Sequence, residues 1–201
     1  MCNLYRMEGT REAMVRLARQ LSRELTTTPE TDNLAPSYVG ANSDGLILRP
    51  HQDGLELAQA RWGFPPISER DKQGRLMRPI TNIRNLESRW WTAVNREWLL
   101  EPAYRCLVPF TRFAEWDKAK KANAWFEVIG TETPCFAGIW RPWHGKRSKI
   151  VGDWELFAFL TTEPNEVVAP IHPKAMPRSP YPRKAGGFSA NDFEPSIRLF
   201  G

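Results

Sequence analysis

Five strand-like runs, at residues 105–110, 112–116, 124–129, 135–140 and 154–162, follow one another with little but turn residues between them. No other stretch constrains the fold as strongly. Runs this short, rich in Val, Ile, Phe and Trp, read as half-buried or core strands. Two more apolar runs precede them, Leu46-Ile47-Leu48 and residues 55–64, the second leading into Pro65-Pro66. Two helical patterns stand beside the strands. In the first, Thr10 can cap a helix in which Met14, Leu17, Ala18, Leu21 and Leu25 recur on one face, ending near Thr28-Pro29. The second spans about Glu87 to Trp98, and a shorter helical stretch at 165–169 is stopped by Pro170. Few helices beside many short strands predict an α+β fold: a single domain with a curled, largely antiparallel β-sheet or open barrel. A length of 201 residues fits one domain.

Composition narrows the function classes. No apolar run reaches the roughly 18 residues of a membrane span, and the opening residues lack the apolar stretch of a signal peptide, so a cytoplasmic protein with no membrane association is expected. Cys2, Cys106 and Cys135 have no CxxC spacing, and three histidines are scattered without ligand spacing. The cysteines therefore read as thiols, and neither a metal nor another cofactor is expected. The 28 Lys and Arg against 23 Asp and Glu favour an acidic partner such as nucleic acid. Seven of the 17 prolines fall from Pro164 onward.

Five positions could carry chemistry. Loss of Met1 would leave Cys2 with an α-amine and a thiol on adjacent carbons, with ordinary pKa values of about 8 and 8.5. Such a 1,2-aminothiol condenses with an aldehyde: the amine forms an imine, and sulfur closes a thiazolidine ring. The alternative is a small residue near a frayed end. Glu115, inside Phe113-Ala114-Glu115-Trp116, is either a desolvated general acid/base or a surface carboxylate on the polar face of a strand. His172 stands between Pro170 and Pro173, either a held histidine or an ordinary loop residue. Asn82 and Arg84, two apart, would share one face of an extended segment as an orienting amide and a phosphate-binding guanidinium. The tryptophans among the basic residues from Arg84 to Arg96 fit a nucleic-acid surface or, more simply, an inward-packing helix face.

In their order along the chain these residues resemble the SRAP family, the SOS-response-associated peptidases that bind single-stranded DNA and crosslink to abasic sites. The matching pieces are Met1-Cys2-Asn3, Asn33-Leu34-Ala35-Pro36, Arg61-Trp62-Gly63, Thr81-Asn82-Ile83-Arg84, Arg105-Cys106-Leu107-Val108-Pro109 with Phe113-Ala114-Glu115-Trp116, Phe136-Ala137-Gly138-Ile139-Trp140, and Leu160-Thr161-Thr162 with Ile171-His172 through Met176-Pro177. The resemblance implies that Cys2, freed of Met1 by self-processing, attacks the aldehyde of an abasic deoxyribose. It further implies that Asn82 holds the N-terminal residue, Glu115 moves protons with His172 assisting, and Arg84 grips a phosphate. Asn33 and Pro36, in the loop before the first apolar run, fall among the implied DNA-binding residues. A lyase activity, a monomer and association with the nucleoid follow from the same resemblance.

The chain departs from the family at its ends. Where many members begin Met-Cys-Gly-Arg, this one has Asn3 and Leu4, with Arg6 as the substitute DNA contact. The aromatic wedge before the Asn-x-Arg motif is absent. The His-Asp-Arg-Met-Pro motif reads one residue longer, His172-Pro173-Lys174-Ala175-Met176-Pro177, with Lys174 as its cation. After Pro177 the chain gives Arg178-Ser179-Pro180-Tyr181-Pro182 and Gly186-Gly187 in place of a strand and helix. The SRAP-like domain is accordingly read as residues 1–177, with a divergent tail of low expected order at 178–201. Two alternatives stand beside the crosslinking reading: a noncovalent single-strand-binding module, and a thiol peptidase.

Overall fold

The computed structural model describes residues 2, 4–31, 37–66, 68–147, 149–180 and 197–200. Asn33 and Pro36, together with most of the tail, lie outside the described residues. The chain starts on strand β1 (Leu4–Met7) and enters helix α1 (Arg11–Gln20). Thr10 caps α1, its hydroxyl oxygen accepting from the Ala13 amide at 3.3 Å, and Ala13, Met14, Leu17 and Ala18 turn inward as the spacing predicts. The helix stops well before Thr28. Ser22 takes a left-handed φ of 56°, and the Ser22 and Arg23 amides donate back to Arg19 and Ala18. That double return is a C-terminal cap of the Schellman type. Leu25 consequently opens strand β2 (Leu25–Thr27) instead of a last helical turn.

Strand content dominates from there. β3 (Ser37–Gly40), β4 (Asp44–His51), β5 (Gly54–Trp62) and β6 (Asn82–Ile83) come before the long connection to β7 (Arg105–Pro109). β8 (Arg112–Asp117), β9 (Ala122–Val128), β10 (Cys135–Arg147), β11 (Ile150–Thr162), β12 (Met176–Pro177) and β13 (Ile197–Phe200) complete the series. All five runs of the 105–162 stretch are strands. The last two run seven and four residues further toward each other than their apolar runs, into a long hairpin.

Two sheets form. One is antiparallel, in the order β13-β9-β8-β1-β3, so β1 lies between β8 and β3. The other runs β12-β11-β10-β7-β4-β5-β2, and β11 also pairs with β5 in parallel, Leu156 opposite Arg61 and Phe157 opposite Trp62. That pairing closes β5, β4, β7, β10 and β11 into a five-stranded barrel, which gives definite form to the curled sheet expected from sequence. The α+β reading holds with the balance tipped to strand.

Aromatic side chains join the two sheets. Tyr5 of β1 is fully buried edge-on to Trp62 at 5.3 Å and Phe159 at 5.5 Å. Phe136 stacks on Phe110 at 3.7 Å. Gly45 is needed here, since a Cβ at that position would lie 2.3 Å from the Tyr5 hydroxyl. β11 is buried on both faces: Phe157 and Phe159 join this main core, while Leu156 and Ala158 join a second cluster with Phe64, Ile83, Trp91 and Ile139. This accounts for its unbroken apolar run.

Two helical expectations change. Residues 87–98 form a single wide π-type turn (Trp90–Val94) and then short helix α2 (Arg96–Leu100). Asn95 causes the break, because its buried side-chain amide and its backbone amide both donate to the Trp90 carbonyl. Trp91 is buried against Phe64 at 5.7 Å, so it belongs to the core. Residues 166–171 make hydrogen-bonded turns rather than a helix. There the Asn165 carboxamide oxygen accepts from the Val168 amide, and the His172 amide donates to the Val168 carbonyl.

Candidate functional site

The pairing of β1 with β8, Leu4 opposite Ala114, brings the start of the chain alongside Glu115. Cys2 is 1% exposed; its thiol donates to the Leu4 carbonyl at 3.4 Å. Burial pushes the thiol pKa up, the neighbouring Glu115 charge adds to the rise, and hydrogen bonds from the backbone only partly oppose it.

Asn82 meets Cys2 from the barrel. Its side-chain amide donates to the Cys2 carbonyl at 2.7 Å and to the Thr81 hydroxyl at 2.8 Å. β6 is only two residues long, but it is fastened on both sides. It pairs in parallel with β11, the Thr161 hydroxyl donates to the Ile83 carbonyl, and the Trp62 indole donates to the Thr81 carbonyl. Asn82 Oδ1 is buried and has no hydrogen-bond partner among the described residues.

Glu115 is 1% exposed, so it is not a surface carboxylate on the polar face of the strand. Simple alternation along β8 places Phe113 and Glu115 on the inner face and leaves Trp116 outside, 50% exposed. Desolvation raises the Glu115 pKa, and the charge of His172 pulls it partly back. His172 is half-buried, and its Nδ1 donates to the Ala175 carbonyl at 2.8 Å. A carbonyl can only accept, so Nδ1 carries a proton.

The structure thus brings Cys2, Asn82, Glu115 and His172 to one place where β1, β6, β8 and the 166–175 turns meet. The remaining cations sit apart in character. Arg84 is exposed just past the end of β6, whereas Asn82 is buried, so the two occupy different environments. Arg6 pairs with Glu8 at 2.6 Å and lies over the Tyr38 ring at 4.8 Å. Lys174 is exposed beside His172 on the rim of a cleft of about 380 Å³. Sequence reasoning missed the contribution of Thr81, whose hydroxyl shares the Asn82 amide; its only signal was adjacency. Among the described residues no cluster of His, Cys, Asp and Glu could hold a metal, and no helix is long and apolar enough to cross a membrane.

Solved structures share this fold. A protein from Bacteroides thetaiotaomicron superposes with a TM-score of 0.63 at 22% identity, covering 89% of this chain and 76% of that one. A protein from Bordetella bronchiseptica gives a TM-score of 0.57 at 17% identity, covering 98% and 82%. A phage-related protein of the same organism gives 0.55 at 20% identity, covering 89% and 76%. No curated protein matches the sequence. A family model described as SOS response associated peptidase (SRAP) matches residues 1–181.

Proposed function

Because this chain belongs to the SRAP family, we propose that it binds single-stranded DNA and, once Met1 is removed, crosslinks to abasic sites through Cys2. The observation that carries this reading is the hold of Asn82 on the Cys2 carbonyl at 2.7 Å, beside a buried Glu115 whose charge is felt at the thiol.

The chemistry needs an amine, a thiol and one group that gives and takes a proton. The α-amine of Cys2 adds to C1′ of the ring-opened abasic deoxyribose to give a carbinolamine. The Glu115 carboxyl, its pKa raised by burial, donates to the departing hydroxyl; water leaves and an iminium remains. The thiol then attacks the iminium carbon while its proton passes to the Glu115 carboxylate. One C–N and one C–S bond form, one water is released, and the carboxyl ends as it began. The raised thiol pKa makes that acceptor necessary, since the thiolate is scarce near neutral pH. Asn82 fixes the residue, and its unoccupied Oδ1 suits a hydrogen bond from the new ammonium. His172 assists through its charge on Glu115, and Arg84 and Lys174 offer phosphate contacts. Self-removal of Met1 and lyase activity draw on the same groups, with Cys2 as nucleophile in the first.

The test is incubation with an abasic oligonucleotide, followed by a denaturing gel and intact mass. Wild type that has lost Met1 should give a denaturation-resistant adduct, and Cys2→Ala should give none. Equal yields from the two proteins would overturn the proposal. Salt-sensitive binding without any adduct would select the noncovalent module instead.

A further inference from the structure

Immediately after Glu115 the chain turns basic at the surface. Asp117-Lys118-Ala119-Lys120-Lys121 joins β8 to β9, and Lys118, Lys120 and Lys121 are all exposed. The turn is stiff: the Asp117 carboxylate accepts from the amides of Ala119 and Lys120, and Lys121 takes a left-handed φ of 52°. Asp117 is thereby occupied by backbone and is itself only 6% exposed, and it is a single carboxylate against three lysines in the turn. Facing this turn across the cleft of about 380 Å³ are Pro170, Ile171, Pro173 and Lys174, with His172 shared with the candidate site. None of the four lysine ammonium groups is taken up by an ion pair among the described residues. Trp116 lines the same cleft at 50% exposure, although most of the large aromatic rings of this protein are packed away.

An exposed indole that shares its cleft with Lys118 and Lys174, with Lys120 and Lys121 exposed in the adjoining turn, is an arrangement suited to single-stranded nucleic acid, with stacking for the base and positive charge for the backbone. We infer that this cleft seats a nucleotide flanking the lesion, its base stacked on Trp116 and its phosphates running past Lys118, Lys120, Lys121 and Lys174. The inference rests on the DNA reading above and extends it to a subsite outside the reacting groups. A missing base cannot be recognised by contact, so a neighbouring base held on Trp116 gives the protein its grip and registers the sugar beside Glu115.

The experiment follows anisotropy of a fluorescein-labelled single-stranded oligonucleotide, intact or abasic, over a range of salt. Trp116→Ala should weaken binding about tenfold, as loss of one stacked base does. Trp116→Phe should retain most of the affinity. Changing Lys118, Lys120 and Lys121 to Gln should lower the slope of log K against log salt by about 0.7 for each phosphate no longer neutralised. Melting temperature and adduct yield at saturating abasic DNA should stay at wild-type levels in all of them. Wild-type affinity in Trp116→Ala would overturn the inference while a Cys2-dependent adduct left the function reading standing. Loss of adduct at saturating DNA would equally overturn it, by placing Trp116 in the reaction or the fold. Wild type that neither binds single strands nor forms the adduct would overturn both readings together.

Discussion

Glu115 is the residue whose state the fold most alters, and its titration gives a thermodynamic handle that needs no substrate. Desolvation raises its pKa above the ordinary 4.5. Between the unfolded and folded pKa values the native state therefore binds more protons than the unfolded chain, and stability falls as pH rises through that window. The full contribution is present only below the ordinary value. Glu115→Gln has nothing to titrate, so its stability relative to wild type should climb as pH rises from about 4.5 and level off above the folded pKa. Urea midpoints of the two proteins across pH check this; parallel curves would mean that folding does not raise the Glu115 pKa. The sequence left this residue open because alternation in Phe113-Ala114-Glu115-Trp116 defines two faces without saying which is inside. Register with β1 and β9 settles it, and register is a property of the sheet.

Elements were legible where their own residues decide them. The Thr10 cap and the 3.6-residue spacing specify the start and inner face of α1, and the apolar runs specify β5 and β7 through β11. Element ends were less legible, because they depend on single backbone conformations. Apolar periodicity carries on through Leu21 and Leu25, yet Leu21 is 38% exposed and the chain has already reversed at Ser22. Ser22 pays for its left-handed φ in steric strain, which glycine avoids. Ser22→Gly should therefore stabilise the protein by up to about 1 kcal/mol, read as a shift in urea midpoint at unchanged slope. Asn95 shows the same limit: nothing in Glu87 to Trp98 announces that one carboxamide will draw the Trp90 carbonyl into a wide turn. The hairpin of β10 and β11 was underestimated because polar residues such as Arg141, His144 and Asp153 continue the ladder with few apolar positions to mark it.

At the scale of the whole molecule the site depends on closure. Cys2 and Asn82 are 80 residues apart, Cys2 just before β1 of one sheet and Asn82 in β6 beside the other; they meet because β5 and β6 both lie in parallel beside β11 while Tyr5 ties β1 to that barrel. No local pattern encodes such a meeting, which is why the order of motifs, rather than their spacing, carried the expectation for Asn82. Closure also leaves all three cysteines buried and reduced. Their number gives a test of the proposed crosslink. A thiol-specific dye should label native protein slowly, and in denaturant it should titrate three sulfhydryls per chain. After reaction with an abasic strand, the denatured adduct should titrate two, because a thiazolidine takes up both the amine and the sulfur of Cys2. An imine that had stopped before ring closure would still show three, so the stoichiometry of free thiols tells the closed product from its precursor when their masses are the same.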